Sequence, residues 1–285
     1  MSKKLLVSVL IALICTGAFL IYLLIHESNS DTQPPVISFS DAVLEISTKA
    51  NKEDYLRGVA AEDNVDGDVS ASLVVDFVQF SGADGTIQVT YAAFDAAGNV
   101  AKAVRMARYT DYESPRFELT QSLTFPESSM YDIFDVVKAE DCLDGDISHR
   151  VRITNLSEQN LSEVGIHLVE VSVRNSLGET VTLEFPVEVY KAGLYDAKLM
   201  LTDYLIYLPV GTELNAESFL DSYSYFGMQF SLRDELPKGY SLDIKNHVLP
   251  HVPGVYTVEY RVSKETDDGG KAYTGYAKLI VVVEG

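Results

Sequence analysis

The chain has 285 residues, 47% of them hydrophobic, which is enough apolar material for two or three compact domains rather than one large core. A formal charge of −20 argues against a nucleic-acid partner, because phosphate would be repelled rather than neutralised. Cys15 lies in an apolar run and Cys142 in an acidic one, so no intramolecular bridge is expected and the core must come from apolar packing.

The first predicted element is a helix. Lys3 and Lys4 precede 21 uncharged residues, Leu5 to Ile25. As a helix that run spans roughly 30 Å, about the hydrocarbon thickness of a bilayer. Lysines before it and acids after it orient the N-terminus to the cytoplasm and everything beyond His26 outside. A cleaved signal peptide competes, with Thr16–Ala18 as a small-residue site, but seven apolar residues follow it where such a region should have ended. Residues 1–33 are therefore expected to be a cytoplasmic tip, a transmembrane signal anchor and a linker.

Repeats follow. "AEDNVDGDVS" begins at Ala61 and "AEDCLDGDIS" at Ala139, identical at seven of ten positions. "GTIQVTYAAFDAAGN" from Gly85 is matched by "GIHLVEVSVRNSLGE" from Gly165, and a weaker third copy, "GVYTVEYRVSKETDDGG", starts at Gly254. Duplication at about 80 residues is too long for a solenoid and fits tandem small domains. The boundaries expected are 34–110, 111–190 and 191–285, each unit folding as its own domain. Within them Ile87, Val89, Tyr91 and Ala93 alternate with Thr86, Gln88, Thr90 and Ala92, and Tyr256, Val258, Tyr260 and Val262 alternate likewise. That period of two marks strands with one face on a core and one in water. "DAAGN" at Asp95–Asn99 is a turn that reverses the chain.

The run "PPVISF…YLRGVAAEDNVDGDVS…GTIQVTYAAFDAAGNVAKAVR" resembles the bacterial Ig-like repeat of surface proteins, which is related to the hyalin-type repeat. The second unit matches with "RNSLGE" in place of the last turn, and the third keeps the Gly254–Tyr260 strand but lacks the D-G-D loop. The resemblance implies an all-β chain of three tandem Ig-like β-sandwich domains, each a seven-stranded Greek key, behind the N-terminal transmembrane helix. It places Tyr256 at the spacing of a tyrosine corner. His167 occupies the same position in the second copy and reads as a core-edge residue rather than a ligand.

The same topology brings the D-G-D loop and the D-x-x-G-N turn to the end of the sandwich where the chain enters. In the first unit that end gathers Asp63, Asp66, Asp68, Asp95 and Asn99. In the second it gathers Asp141, Asp144, Asp146 and Asn175, beside a linker carrying Asp111 and Glu113. Converging hard oxygens suit Ca²⁺, with the second cluster expected to respond more strongly because it lies at a junction. The competing reading is plain turn chemistry, since Asp-Gly is a turn dipeptide and Asx side chains cap their own backbone. Ten of the 17 tyrosines fall after residue 191. They make Tyr223, Tyr225, Phe226, Tyr273 and Tyr276 a candidate contact surface, against the alternative that strands simply favour aromatic rings.

No nucleophile–base pairing, phosphate-cradling loop or G-x-S-x-G elbow is present, so an enzyme is not expected. The functional expectation is a membrane-anchored stalk or interaction scaffold outside the cytoplasmic membrane of a bacterium. The alternative is an adhesin whose membrane-distal domain recognises a glycan or an envelope protein.

Overall fold

A computed structural model describes residues 3–28, 31–82, 85–127, 132–155, 161–191, 193–195, 197–233, 236–264 and 273–285. The chain divides into two compact units, Met1–Tyr112 and Glu113–Gly285. It is mostly β-sheet. Helix α1 covers Lys3–Ser28, and two single-turn helices, Lys52–Tyr55 and Ile133–Val136, complete the α content of the described residues. Among the described residues no helix is long and apolar enough to cross a membrane; the described side chains of α1 are Val7, Ser8 and those of residues 10–22.

The first unit holds seven strands: β1 (Val36–Phe39), β2 (Val43–Ile46), β3 (Val59–Asp63), β4 (Gly67–Asp68), β5 (Val74–Phe80), β6 (Thr86–Phe94) and β7 (Val100–Tyr109). They form two sheets, β1-β3-β4 and β2-β7-β6-β5, with β2 parallel to β7 and the other pairs antiparallel. The alternating set Ile87, Val89, Tyr91 and Ala93 is buried, as one apolar face on a core requires.

The next seven strands repeat this plan: β8 (Arg116–Leu119), β9 (Thr124–Pro126), β10 (Val137–Asp141), β11 (Gly145–Asp146), β12 (Arg152–Ile153), β13 (Gly165–Arg174) and β14 (Thr180–Tyr190). Their sheets are β11-β10-β8 and β12-β13-β14-β9, again with one parallel pair, β9 on β14. The sequence duplication is thus a duplication of topology. Gly67 and Gly145 explain why the D-G-D loop keeps its glycine: both have φ near +70°, a left-handed conformation that a Cβ disfavours.

The last part departs from that plan. Its strands are β15 (Ala197–Leu201), β16 (Leu205–Pro209), β17 (Leu220–Tyr225), β18 (Met228–Ser231), β19 (Tyr240–Asn246), β20 (Gly254–Lys264) and β21 (Tyr273–Glu284). They join in one seven-stranded sheet in the order β18-β17-β15-β21-β20-β19, with β16 also pairing β21. The expected third separate sandwich is not confirmed: residues 191–285 belong to the same compact unit as the second repeat. The physical reason is β21, whose two faces enter different cores. Leu279, Val281 and Val283 pack with Val258, Tyr260 and Val262, whereas Ile280, 1% exposed, packs into the core of Phe117, Val169 and Phe185. Polar contacts reinforce the junction. The buried Lys278 ammonium pairs with Glu188, the Lys278 amide donates to Ser122 Oγ at 2.9 Å, and the Phe117 amide donates to the Tyr207 hydroxyl at 2.8 Å.

Tyr256 behaves as its spacing implies, its hydroxyl donating to the Val252 carbonyl at 2.9 Å. His167 makes the equivalent local contact, with Nε2 2.8 Å from the Glu163 carbonyl, also four residues upstream.

Candidate functional site

The candidate site is the acidic pole of the first repeat, where the entering segment, the loop after β3 and the turn after β6 meet. Asp31, Asp63, Asp66 and Asp95 each present a carboxylate oxygen there, and these four oxygens all lie within 4.8 Å of one another.

Local sequence sets each side chain. Asp63 ends β3 and is only 5% exposed. Its Oδ1 accepts from the amides of Val65 (2.8 Å) and Asp66 (2.9 Å), the Asx turn that closes the D-G-D loop. Its Oδ2 is buried without a hydrogen-bond partner, as is Asp31 Oδ2. Asp66 Oδ2 accepts from the Ala96 amide at 2.8 Å, which ties the two loops together. Burial works against the charged form of Asp95. The Asn99 side chain and the amides of Asn99, Gly98 and Ala97 outweigh that and hold its carboxyl below the usual carboxylate range. Asn99 Nδ2 donates to Asp95 Oδ2 at 2.7 Å and to the Asp31 carbonyl at 3.2 Å, so Asn99 holds the entering segment to the turn. Among the described residues no cation pairs with any of the four carboxylates. Four clustered negative charges, two of them with a buried unpartnered oxygen, repel one another unless something positive joins them.

The second repeat uses the same frame differently. Asp141 is again buried, with Oδ1 accepting from the amides of Leu143 and Asp144, both at 2.9 Å. Its Oδ2, however, receives Nδ2 of Asn175 at 3.1 Å, and Asn175 is the counterpart of Asp95. Asp144 Oδ2 accepts from the Ser176 amide and from the Arg150 guanidinium, each at 2.6 Å. Burial pushes the Asp144 carboxyl up, but Ser176 and Arg150 prevail and it lies below its ordinary value.

Other expected ligands fall outside either cluster. Asp68 and Asp146 are turn formers whose Oδ1 atoms accept from the amides of Ser70 and Ser148, each at 2.9 Å, and the serine side chains first, with those amides, lower both carboxyls. Asp111 is engaged inside the first unit, by the Thr48 amide and the Ser47 hydroxyl, both at 2.7 Å. Glu113 offers its backbone carbonyl to the Cys142 thiol. The second cluster, expected to respond more strongly to Ca²⁺, already has Asn175 and Arg150 as internal donors to its carboxylates. Asp31 was missed by sequence reasoning, although it stands 80 residues before Asp111, the same offset as Asp95 and Asn175.

The expected aromatic surface is largely core. Tyr223 is fully buried and donates to the Tyr273 carbonyl at 2.8 Å, while Tyr225 stacks on Tyr273 and receives the Lys264 ammonium at 2.7 Å. Tyr276 donates to Glu188 at 3.1 Å and stacks on Tyr195, with burial pushing its phenol up. Tyr223 and Tyr225 alternate inward on β17, whereas Tyr273 and Tyr276 are partly buried on opposite faces of β21. Only Phe226, 79% exposed, faces solvent as expected of a contact residue.

No family model matches the chain, and no curated protein matches it in sequence. Among solved structures, the CBM51-2 domain in complex with GlcNAc and INT domains from Clostridium perfringens ZmpB aligns at 13% identity and a TM-score of 0.23, covering 88% of this chain and 44% of that one. Protocadherin Gamma B2 cadherin domains 1–5 align at 10% identity and 0.20, over 89% of this chain and 60% of theirs. Mouse Protocadherin-24 EC1-3 aligns at 9% identity and 0.20, over 89% and 100%. The chain spans less than two thirds of the first two. Superpositions this loose carry no argument about this chain.

Proposed function

We propose that the chain is a non-catalytic, membrane-anchored scaffold of Ig-like repeats displayed outside the cytoplasmic membrane of a bacterium, with a Ca²⁺ ion at the acidic pole of its first repeat. The observation that carries the anchoring is α1. Val7, Leu10, Ile11, Leu13, Ile14, Phe19, Leu20, Ile21 and Tyr22 are all more than half exposed. Consecutive helical residues point about 100° apart, so four in a row at 19–22 leave no side of the helix polar. An apolar helix exposed all round calls for a lipid surround, and the uncharged run extends from Leu5 to Ile25. What supports the scaffold role is the burial of Tyr223 and Tyr225, which commits to core packing two rings that a binding face would display.

The test is fractionation of the full chain expressed in a bacterium. The chain should remain in the membrane pellet after carbonate, and external protease should digest residues beyond 33. Release into the medium, or an N-terminus beginning at Phe19, would overturn the anchor.

A second reading, recognition of an envelope protein or a glycan by the last seven strands, is favoured by Phe226. That ring stands exposed at the β17–β18 hairpin with φ of 47°, a left-handed backbone unusual for a non-glycine residue. A pull-down from envelope extract that depends on Phe226 would support it.

A further inference from the structure

The two acidic poles are copies of one loop frame, so a difference between them isolates what the frame needs. In both, one oxygen of the buried aspartate closes the Asx turn, and the aspartate three residues later accepts from the turn after the long strand. The copies differ at three places around the remaining oxygens. Asp95 becomes Asn175, so a carboxylate oxygen is replaced by an amide N–H that donates to Asp141 Oδ2. Ser72, whose hydroxyl donates to the Val69 carbonyl and accepts from the Phe94 amide, becomes Arg150, whose guanidinium pairs with Asp144. Asp31, with an unpartnered buried oxygen at the first pole, has Asp111 as its counterpart, and Asp111 is spent on Ser47 and Thr48.

We infer that in the second repeat Arg150 and Asn175 occupy the role that a bound Ca²⁺ plays in the first, so the chain carries one metal-dependent and one metal-independent version of the same loop. The inference rests on the reading that the first pole binds Ca²⁺. That reading has two independent supports: four carboxylates in one cluster, and the buried, unpartnered Oδ2 of Asp63, one of its four members. A span of 4.8 Å is what two ligands on opposite sides of Ca²⁺ would have at roughly 2.4 Å each, and an all-carboxylate set excludes the softer donors that zinc prefers. Because Asp31 lies on the segment between α1 and β1, the ion also pins the entering chain to the sandwich. The second repeat compensates its two carboxylates with one guanidinium and two amide protons supplied by the fold, which neither dissociate nor respond to calcium concentration.

Binding of CaCl₂ to the full chain in detergent, measured by equilibrium dialysis and thermal melting, separates the two claims. The native chain should bind one Ca²⁺, and Asp63→Asn should bind none. The Arg150→Ser, Asn175→Asp double variant should bind two and become calcium-dependent in its second transition. No binding by the native chain, or binding that survives Asp63→Asn, would sink the reading of the first pole. One ion in the native chain, lost in Asp63→Asn, but still only one in the double variant would leave that reading standing and overturn the inference. Should the double variant fail to fold even in calcium, the reciprocal exchange decides. Ser72→Arg with Asp95→Asn should give a first repeat that binds no Ca²⁺ and melts independently of it. Retained calcium dependence there would overturn the inference.

Discussion

Asp63 shows how one side chain can form a turn and still leave an oxygen for a cation. Turn formation and cation binding compete only if both carboxylate oxygens are needed for one task, and here the loop amides engage Oδ1 alone. Asp68 makes the opposite case. Its contact with Ser70 is complete without the cluster, so Asp68→Asn should keep the turn, change stability by less than about 0.5 kcal/mol and leave Ca²⁺ binding untouched. Titration distinguishes the second pole. The Asp144 carboxyl lies lower in the folded chain than unfolded, so its contribution is present above the ordinary carboxylate range and is lost as pH falls through the depressed folded value. Melting temperature of the Glu113–Gly285 unit should therefore hold steady from neutral pH to about 5 and fall below about 4. Arg150→Ser should lessen that acid-side loss by removing one of the groups that lower the carboxyl; an unchanged profile would argue that Ser176 acts alone.

At the scale of elements, the long hairpins are the most readable part of the chain. Strict alternation in β6 and β20 reports one buried face, and Ile87, Val89, Val258 and Tyr260 are buried as that period requires. Strand β17 deceived for a reason rooted in pairing: with β15 on one side and β18 on the other, its aromatic residues have a core to enter. Tyr223→Ala should therefore cost about 3–5 kcal/mol in denaturant unfolding, as expected for deleting a buried ring, whereas Phe226→Ala should cost less than about 1. Equal losses would mean that the hairpin tip is packed as tightly as the strand.

At the scale of the whole molecule, β21 decides how many parts the chain has. Ile280→Ala would open a cavity in the core of the second repeat from a strand of the last sheet, with a loss of about 2–5 kcal/mol. The Glu113–Gly285 unit should then melt as one transition that shifts as a whole; two transitions, only one of them moved by Ile280→Ala, would mean that the segments fold separately. The signal for this was present in the continuous apolar run Leu279–Val283, which suits a strand buried on both faces better than an exposed edge. The sequence by itself determined the β class, the 80-residue duplication and the chemistry available at each loop, because period, turn residues and repeated motifs are local properties. Only the tertiary structure decided which carboxylates share a pole, which of them already have a donor, and which core receives Ile280, because each depends on residues distant in the chain arriving at one place.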